Sequence, residues 1–226
     1  MTDNISEKIL KRNSELVSLL LWEAGAIKVN IDEPFKLVSG NYSPIYINCR
    51  SVISSPSFMK LFAVIAQFII ERNEIHINTI AGGETAGIPF AAYLANSLSL
   101  SMIYVRKAKK DHGIANLVEG TLRKNAEVLL VEDLITDGGS KIGFINSIQN
   151  AGASINHTLV LFDRLQGGMN TLKKQKIKLH KITDMNTVLK VAADEKLLYK
   201  KHLNTVHEYI ISPEEWHMKL GLDYIK

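Results

Sequence analysis

Cysteine is almost absent: Cys49 is the single thiol in 226 residues. One cysteine excludes an intrachain disulfide and fits a reducing compartment, and its plainest role is that of a small buried hydrophobe. Long hydrophobic runs are missing too. No apolar stretch reaches the roughly 18 residues that a membrane-crossing helix needs. The richest, Phe58 to Ile70, is interrupted by Lys60 and Gln67 and reads as a buried core helix. The N-terminus carries acids at Asp3 and Glu7 without a cationic lead into an apolar core, so no export signal is expected. There is no internal repeat, no low-complexity segment and no separate winged-helix-like segment before residue 35. These absences point to one cytoplasmic domain over 1–226, with neither a membrane nor a nucleic acid among its partners.

What is present is an ordinary globular composition, 46% hydrophobic, with a formal charge of +4. The isoelectric point near 9.0 allows an anionic partner without naming one. The most basic run, Lys173-Lys174-Gln175-Lys176-Ile177-Lys178 followed by His180 and Lys181, lacks interleaved aromatics. It reads as a solvated face rather than a nucleic-acid groove.

The hydrophobic pattern alternates between strand and helix from residue 57 to about 168, which predicts an α/β fold with a mostly parallel, doubly wound sheet flanked by helices. Helices are expected at 5–24, 57–72, 90–98, 140–150, 186–198 and 214–220. Strands are expected at 75–81, 101–105, 128–131 and 157–162, with another at 177–182. Before the alternation, Ser39-Gly40-Asn41 reads as a tight turn joining strands Phe35–Val38 and Ile45–Asn48. Such a hairpin could hood a ligand, with Tyr46 stacking on a planar ring or simply packing.

Four stretches carry candidate chemistry. In Val128-Leu129-Leu130-Val131-Glu132-Asp133-Leu134-Ile135-Thr136-Asp137-Gly138-Gly139-Ser140, a strand runs into two carboxylates and a small-residue loop that opens a helix. Helix-start amides can hold a phosphate, and carboxylates accept hydrogen bonds from sugar hydroxyls. Gly82 to Pro89 is a second turn of this type, although many strand-to-helix turns need glycine for geometry alone. Arg106-Lys107-Ala108-Lys109-Lys110-Asp111-His112-Gly113 gathers four cations and a histidine without an apolar period. That suits a mobile lid closing over an anionic substrate. Asp163-Arg164 ends a strand where α/β folds bind ligands, and a guanidinium there suits a carboxylate or imide edge.

The segment from Val131 to Ser140 resembles the phosphoribosyl-diphosphate signature of type I phosphoribosyltransferases, with Glu132 in place of one aspartate. Arg106-Lys107 with Lys110-Asp111-His112-Gly113 resembles the catalytic loop of the orotate phosphoribosyltransferase family; Ser39-Gly40, Ser43-Pro44, Gly82–Pro89 and Asp163-Arg164 follow that family's order. The resemblance implies transfer of a phosphoribosyl group from phosphoribosyl diphosphate (PRPP) to orotate, giving orotidine 5′-phosphate and pyrophosphate, with Mg²⁺ held mainly through PRPP and water rather than by protein ligands. It implies a type I phosphoribosyltransferase fold in one domain: N-terminal helix and hood hairpin over 1–50, core over 51–168, and completion of core and hood over 169–226.

By the same resemblance, Lys110, His112 and Asp111 are the catalytic residues. Arg106, Lys107, Lys110 and His112 contact the diphosphate from a loop donated across a homodimer interface. Glu132 and Asp133 bind the ribose hydroxyls, with Leu134 and Ile135 continuing the motif, and Thr136, Asp137, Gly138, Gly139 and Ser140 wrap the 5′-phosphate. Thr136, Arg164 and Tyr46 face orotate. No second catalytic domain is expected within this length. Two departures stand out. Many members have lysine where Val38 stands, and some have Tyr-Lys where Thr85-Ala86 stands. Lys36, on the same hairpin face by period-two alternation, is a candidate substitute for the first.

Overall fold

The computed structural model describes residues 2–37, 39–107 and 117–225. Helix α1 (Thr2–Glu23) leads into strand β1 (Ile27–Val29). Two short ribbons follow: β2 (Phe35–Lys36) with β3 (Tyr42–Ser43), then β4 (Ile45–Ile47). A 3₁₀ turn over Cys49–Ser54 precedes α2 (Pro56–Arg72), which the Ser55 hydroxyl caps by accepting from the Phe58 amide at 3.4 Å, with Pro56 at the first helical position. The core then alternates through β5 (Thr79–Gly83), α3 (Gly87–Leu98), β6 (Ser101–Val105), β7 (Val118–Glu119), β8 (Glu127–Ile135), α4 (Gly139–Asn150), β9 (Ser154–Asp163), α5 (Gly168–Lys174), β10 (Lys178–Asp184) and α6 (Met185–Asp194). Helices α7 (Lys200–Ile211) and α8 (Pro213–Lys219) finish the chain.

The main sheet has the order β10-β9-β8-β5-β6-β7, parallel except for β7 at the edge. Alternation along β8 divides the core. Leu129 and Val131 join the cluster under α2, α3 and α6, while Val128 and Leu130 join the one under α4. From β5 the chain steps outward to β6, then returns to β8 and proceeds the other way through β9 and β10. The β5–β8 boundary is therefore a topological switch point, where the two following turns diverge and leave a crevice at the strands' carboxyl ends. Those turns are 84–86 and 136–138, the two expected phosphate-type stretches.

Several expectations are corrected. Tyr42–Ser43, not Ile45–Asn48, pairs with Phe35–Lys36, and Ile45–Ile47 pairs with Ile27–Val29 instead. Pro44 separates the two ribbons and has no amide with which to continue one ladder. The strand expected from Ile75 starts at Thr79, because the Ile75 amide closes the end of α2 on the Ile70 carbonyl at 3.0 Å. The far end of the cationic segment is not all loop, since Val118–Glu119 adds the antiparallel edge strand. Strand β8 continues through both acids to Ile135. Helices α5 and α7 were not anticipated. The basic run is solvated at Lys173, Lys174, Lys176 and Lys178, anchored by buried Leu172 and Ile177.

The C-terminal segment folds back onto the β2–β3 hairpin. Buried His217 accepts from the Tyr42 amide through Nε2 at 2.9 Å, so its Nδ1 donates to the Pro213 carbonyl at 2.6 Å. Asn41 and Ile225 exchange two hydrogen bonds of 2.8 Å.

Candidate active site

Strand β8 delivers Glu132 and Asp133 to the crevice, 4% and 8% exposed. Burying adjacent carboxylates is costly unless they are compensated. Glu132 gains one partner, Lys141 in the first turn of α4, with Nζ 2.6 Å from Oε2. Its other oxygen has no hydrogen-bond partner and lies against Gly83 and Gly87; a Cβ on either glycine would collide with it. Burial raises the Glu132 carboxyl above the ordinary range, and Lys141 partly opposes that rise. The glycines of the first turn are thus required by the packing of Glu132. Gly87 also lets α3 approach β8 so closely that a Cβ would sit 2.5 Å from the Val131 carbonyl oxygen.

The second turn opens α4 through Gly138, whose φ of +88° only glycine adopts without strain. Asp137 folds its carboxylate onto the Gly139 amide at 3.1 Å, and Gly168 ties the loop to β9 by donating to the Thr136 carbonyl at 2.9 Å. Ser140 is exposed at the mouth, whereas Ile135 turns wholly into the core. Leu134 lines the same small cavity as the two acids.

Two clefts open here, lined by neighbouring residues of β8 and the turn after it. The smaller, about 180 Å³, lies between Glu132-Asp133 and the 84–86 turn and is bordered by Ser140, Lys141, Arg50 and Lys107. The Lys107 amide donates to Glu84 at 2.8 Å, and its ammonium lies near enough to Glu132 to lower that carboxyl's pKa. Lys107 therefore borders the cavity of its own chain. Arg106 is held by Glu119 at 3.5 Å across the β6–β7 pair. Lys110, Asp111 and His112 lie outside the described residues, as does Val38.

The larger cleft, about 800 Å³, is floored by Thr136 and Arg164 and walled by Lys36 and Tyr46 from the ribbons and by Tyr209 and Tyr224 from the C-terminal segment. Arg164 is aimed by the turn after β9: its amide donates to the Ile135 carbonyl at 3.0 Å, and Asp163 accepts from the Leu165 amide at 2.8 Å. Burial pulls its guanidinium below the ordinary arginine range, and its Nε has no partner. A guanidinium that lines a cleft with its buried Nε unpartnered complements an anion or a carbonyl acceptor. Tyr46 tilts against Phe35, centroids 5.6 Å apart, and presents its remaining surface to the cleft.

A phosphoribosyl transferase domain model matches residues 51–195, which contain both turns and both acids. The orotate phosphoribosyltransferase of Sinorhizobium medicae is 43% identical over 213 residues, covering 92% of this chain and 91% of that protein. The chain belongs to the orotate phosphoribosyltransferase family. Among solved structures, that of orotate phosphoribosyltransferase from Aeropyrum pernix superposes with a TM-score of 0.70 at 29% identity, over 80% of this chain and 97% of that one. Leishmania donovani UMP synthase shares the fold with a TM-score of 0.75 at 23% identity; this chain spans 87% of its own length and 42% of that protein.

Four residues of this family member's site had no role assigned from the sequence: Arg50, Lys141, Tyr209 and Tyr224. Lys141 was legible in principle, because a lysine in a helix's first turn opposes the helix dipole and needs a local reason. Tyr209 and Tyr224 reach the larger cleft from a segment distant in sequence, and no spacing rule links them to it.

Proposed function

We propose that this chain transfers the 5-phosphoribosyl group from PRPP to N1 of orotate, releasing pyrophosphate and forming orotidine 5′-phosphate, in pyrimidine nucleotide synthesis. The observation that carries the reading is that two unlike clefts are lined by consecutive residues at one switch point, Glu132 to Leu134 in one and Thr136 and Asp137 in the other. One is carboxylate-lined beside the glycine turn; the other is broad, aromatic-walled and floored by an unpartnered guanidinium. Kinship with proteins named as orotate phosphoribosyltransferases supports it.

In this reading Asp133 accepts from the ribose hydroxyls and Glu132, locked by Lys141, fixes the strand end that presents it. The Thr136–Ser140 loop and the start of α4 receive the 5′-phosphate. Orotate lies over Thr136 with its anionic or carbonyl edge on Arg164 and a ring face toward Tyr46. Breaking the bond from ribose C1 to diphosphate leaves positive charge on the sugar and negative charge on the leaving group. Fixed cations near the diphosphate stabilise that separation. Arg106, Lys107, Lys110 and His112 are its proposed sources, with Asp111 beside them and the loop shared between subunits of a homodimer.

Among the described residues no cluster of three carboxylate, imidazole or thiol groups forms a metal site. Magnesium would instead be held mainly through PRPP and water, with Asp133 as the β8 carboxylate in the cavity not committed to another side chain, since it favours oxygen donors and keeps several waters. When bound, it neutralises diphosphate charge. A cytoplasmic location completes the proposal. The test is to incubate the protein with PRPP, Mg²⁺ and each candidate base. Loss of orotate absorbance with stoichiometric pyrophosphate release is expected, and consumption of hypoxanthine or adenine in its place overturns the assignment.

A further inference from the structure

The smaller cleft contains a cation that no motif announced. Arg50 sits in the 3₁₀ turn between Cys49 and Val52, 0% and 1% exposed, which anchor that turn in the core. The anchor abuts the site floor. Besides the dominant effect of burial, the charges of Asp133 and Arg164 act on the Cys49 thiol. Arg50 itself is exposed and borders the cavity formed by the 84–86 turn, Glu132 and Asp133.

The charge arrangement around that cavity singles Arg50 out. Lys141 is committed to Glu132 at 2.6 Å. Residues 82–89 hold no lysine or arginine and one acid, Glu84, so the turn facing the cavity has no cation of its own. The Arg50 guanidinium makes no ion pair or hydrogen bond among the described residues, although three carboxylates border the same cavity. A planar fork left unpaired at the mouth of a polar cavity suits a phosphate, which it grips through two parallel hydrogen bonds.

We infer that Arg50 binds the diphosphate of PRPP and the pyrophosphate product. The inference rests on the proposed phosphoribosyl transfer and adds a substrate-contacting residue to it. The direction follows from the geometry. Arg50 and the 84–86 turn share the smaller cavity with the ribose acceptor Asp133, whereas Thr136 and Asp137, at the head of the 5′-phosphate loop, line the larger cleft. An anion reaching Arg50 is therefore the group at the C1 end of the sugar. Arg50 and Lys107 border that cavity as two cations, one from the 3₁₀ turn and one from just beyond β6, and the glycine turn supplies none.

The test uses the full chain with Arg50→Gln and Arg50→Lys. Pyrophosphate and orotidine 5′-phosphate are titrated separately by calorimetry in Mg²⁺ buffer, and KM is measured for PRPP and for orotate. For Arg50→Gln, a loss of about ten- to a hundredfold in pyrophosphate affinity is expected, the range for a charge-assisted hydrogen bond, with a parallel rise in KM for PRPP. Affinity for orotidine 5′-phosphate and KM for orotate stay within about threefold, and Arg50→Lys recovers part of the loss because it keeps the charge without the fork. Unchanged pyrophosphate affinity in Arg50→Gln overturns the assignment. So does an equal loss for both ligands, which would mean that the turn had shifted rather than a contact been lost. Wild-type protein that binds orotidine 5′-phosphate but not pyrophosphate overturns it as well, while wild-type protein that binds neither refutes the parent reading and the Arg50 role with it.

Discussion

Lys141→Met isolates the interaction on which the site's floor depends. Lys141 and Glu132 are 9% and 6% exposed at the side chain and 2.6 Å apart, so neither charge has water to fall back on. Removing one partner of such a pair costs about 3–5 kcal/mol, because the other charge is left buried and uncompensated. The chain can escape by protonating Glu132, and that escape limits the loss to about 1.4 kcal/mol for each pH unit above the folded pKa. The cost therefore depends on pH in a calculable sense. Burial already raises Glu132 above an unfolded carboxyl, so its contribution to stability is most favourable at low pH. That contribution declines as pH rises through the unfolded value toward the folded one. Without Lys141 the folded value rises further and the decline extends to higher pH.

Urea unfolding of wild type and variant at about pH 6 and about pH 9 reads the effect directly. The variant's deficit approaches about 3–5 kcal/mol at the alkaline condition and is clearly smaller at the acidic one. Removing both charges with Glu132→Gln and Lys141→Met together recovers most of the loss, as expected when the penalty is an unpaired ion rather than missing packing. A deficit below about 1 kcal/mol at pH 9, or one equal at both pH values, refutes the reasoning.

Gly87→Ala places a methyl 2.5 Å from the Val131 carbonyl oxygen and against Glu132, so a loss of about 1–3 kcal/mol or more is expected by thermal or urea unfolding. Gly143→Ala, in α4 with nothing within 4 Å, should instead stabilise by about 0.5–1 kcal/mol, and similar outcomes for the two would discredit the steric account. Arg164→Gln should weaken orotate binding about ten- to a hundredfold while KM for PRPP stays within about threefold; loss confined to PRPP would misplace the base cleft. His180, paired with His157 at 3.0 Å, is pushed down to about 4 by burial first and by His157 and Lys178 next. Its depressed value means that the folded state binds fewer protons, so stability declines as pH falls from the unfolded value of about 6.5 toward about 4. His180→Phe flattens that acid limb of the stability profile, and an unaltered limb assigns acid sensitivity elsewhere.

Legibility in the sequence followed the range of the interactions. The alternation of strand and helix, the switch-point turns and the Glu132-Asp133 pair are local patterns, and all stand where the pattern placed them. The hairpin was misassigned because the partner of Ile45–Ile47 is β1, nearly twenty residues upstream, and nothing in the turn signal at Ser39-Gly40-Asn41 encodes that. Helix α7 was missed although Leu203, Val206, Tyr209 and Ile210 stand at helical spacing and pack on the core, because polar and charged residues fill its first turn and it opens without a side-chain cap. Arg50, Lys141, Tyr209 and Tyr224 share one property: each reaches the site from an element whose local sequence is fully explained without it.

The glycine turn shows why a motif and its cause can differ. From the sequence, Gly82–Gly87 suggested a backbone nest for phosphate, or geometry alone. In the structure Gly83 and Gly87 yield space to a carboxylate from the neighbouring strand, and that carboxylate is locked by a lysine at the start of the phosphate-loop helix. The two turns at the switch point are thus mechanically one unit: Gly83 at the end of β5, Gly87 at the start of α3, Glu132 on β8 and Lys141 on α4 form a single buried contact chain. A side chain introduced into the first turn must displace Glu132, which releases Lys141 and disturbs the opening of α4 where the 5′-phosphate is proposed to bind. Glycine in the first turn is therefore a requirement of the second turn's geometry. The cations proposed for the diphosphate accordingly enter from outside that turn, at Arg50 and Lys107.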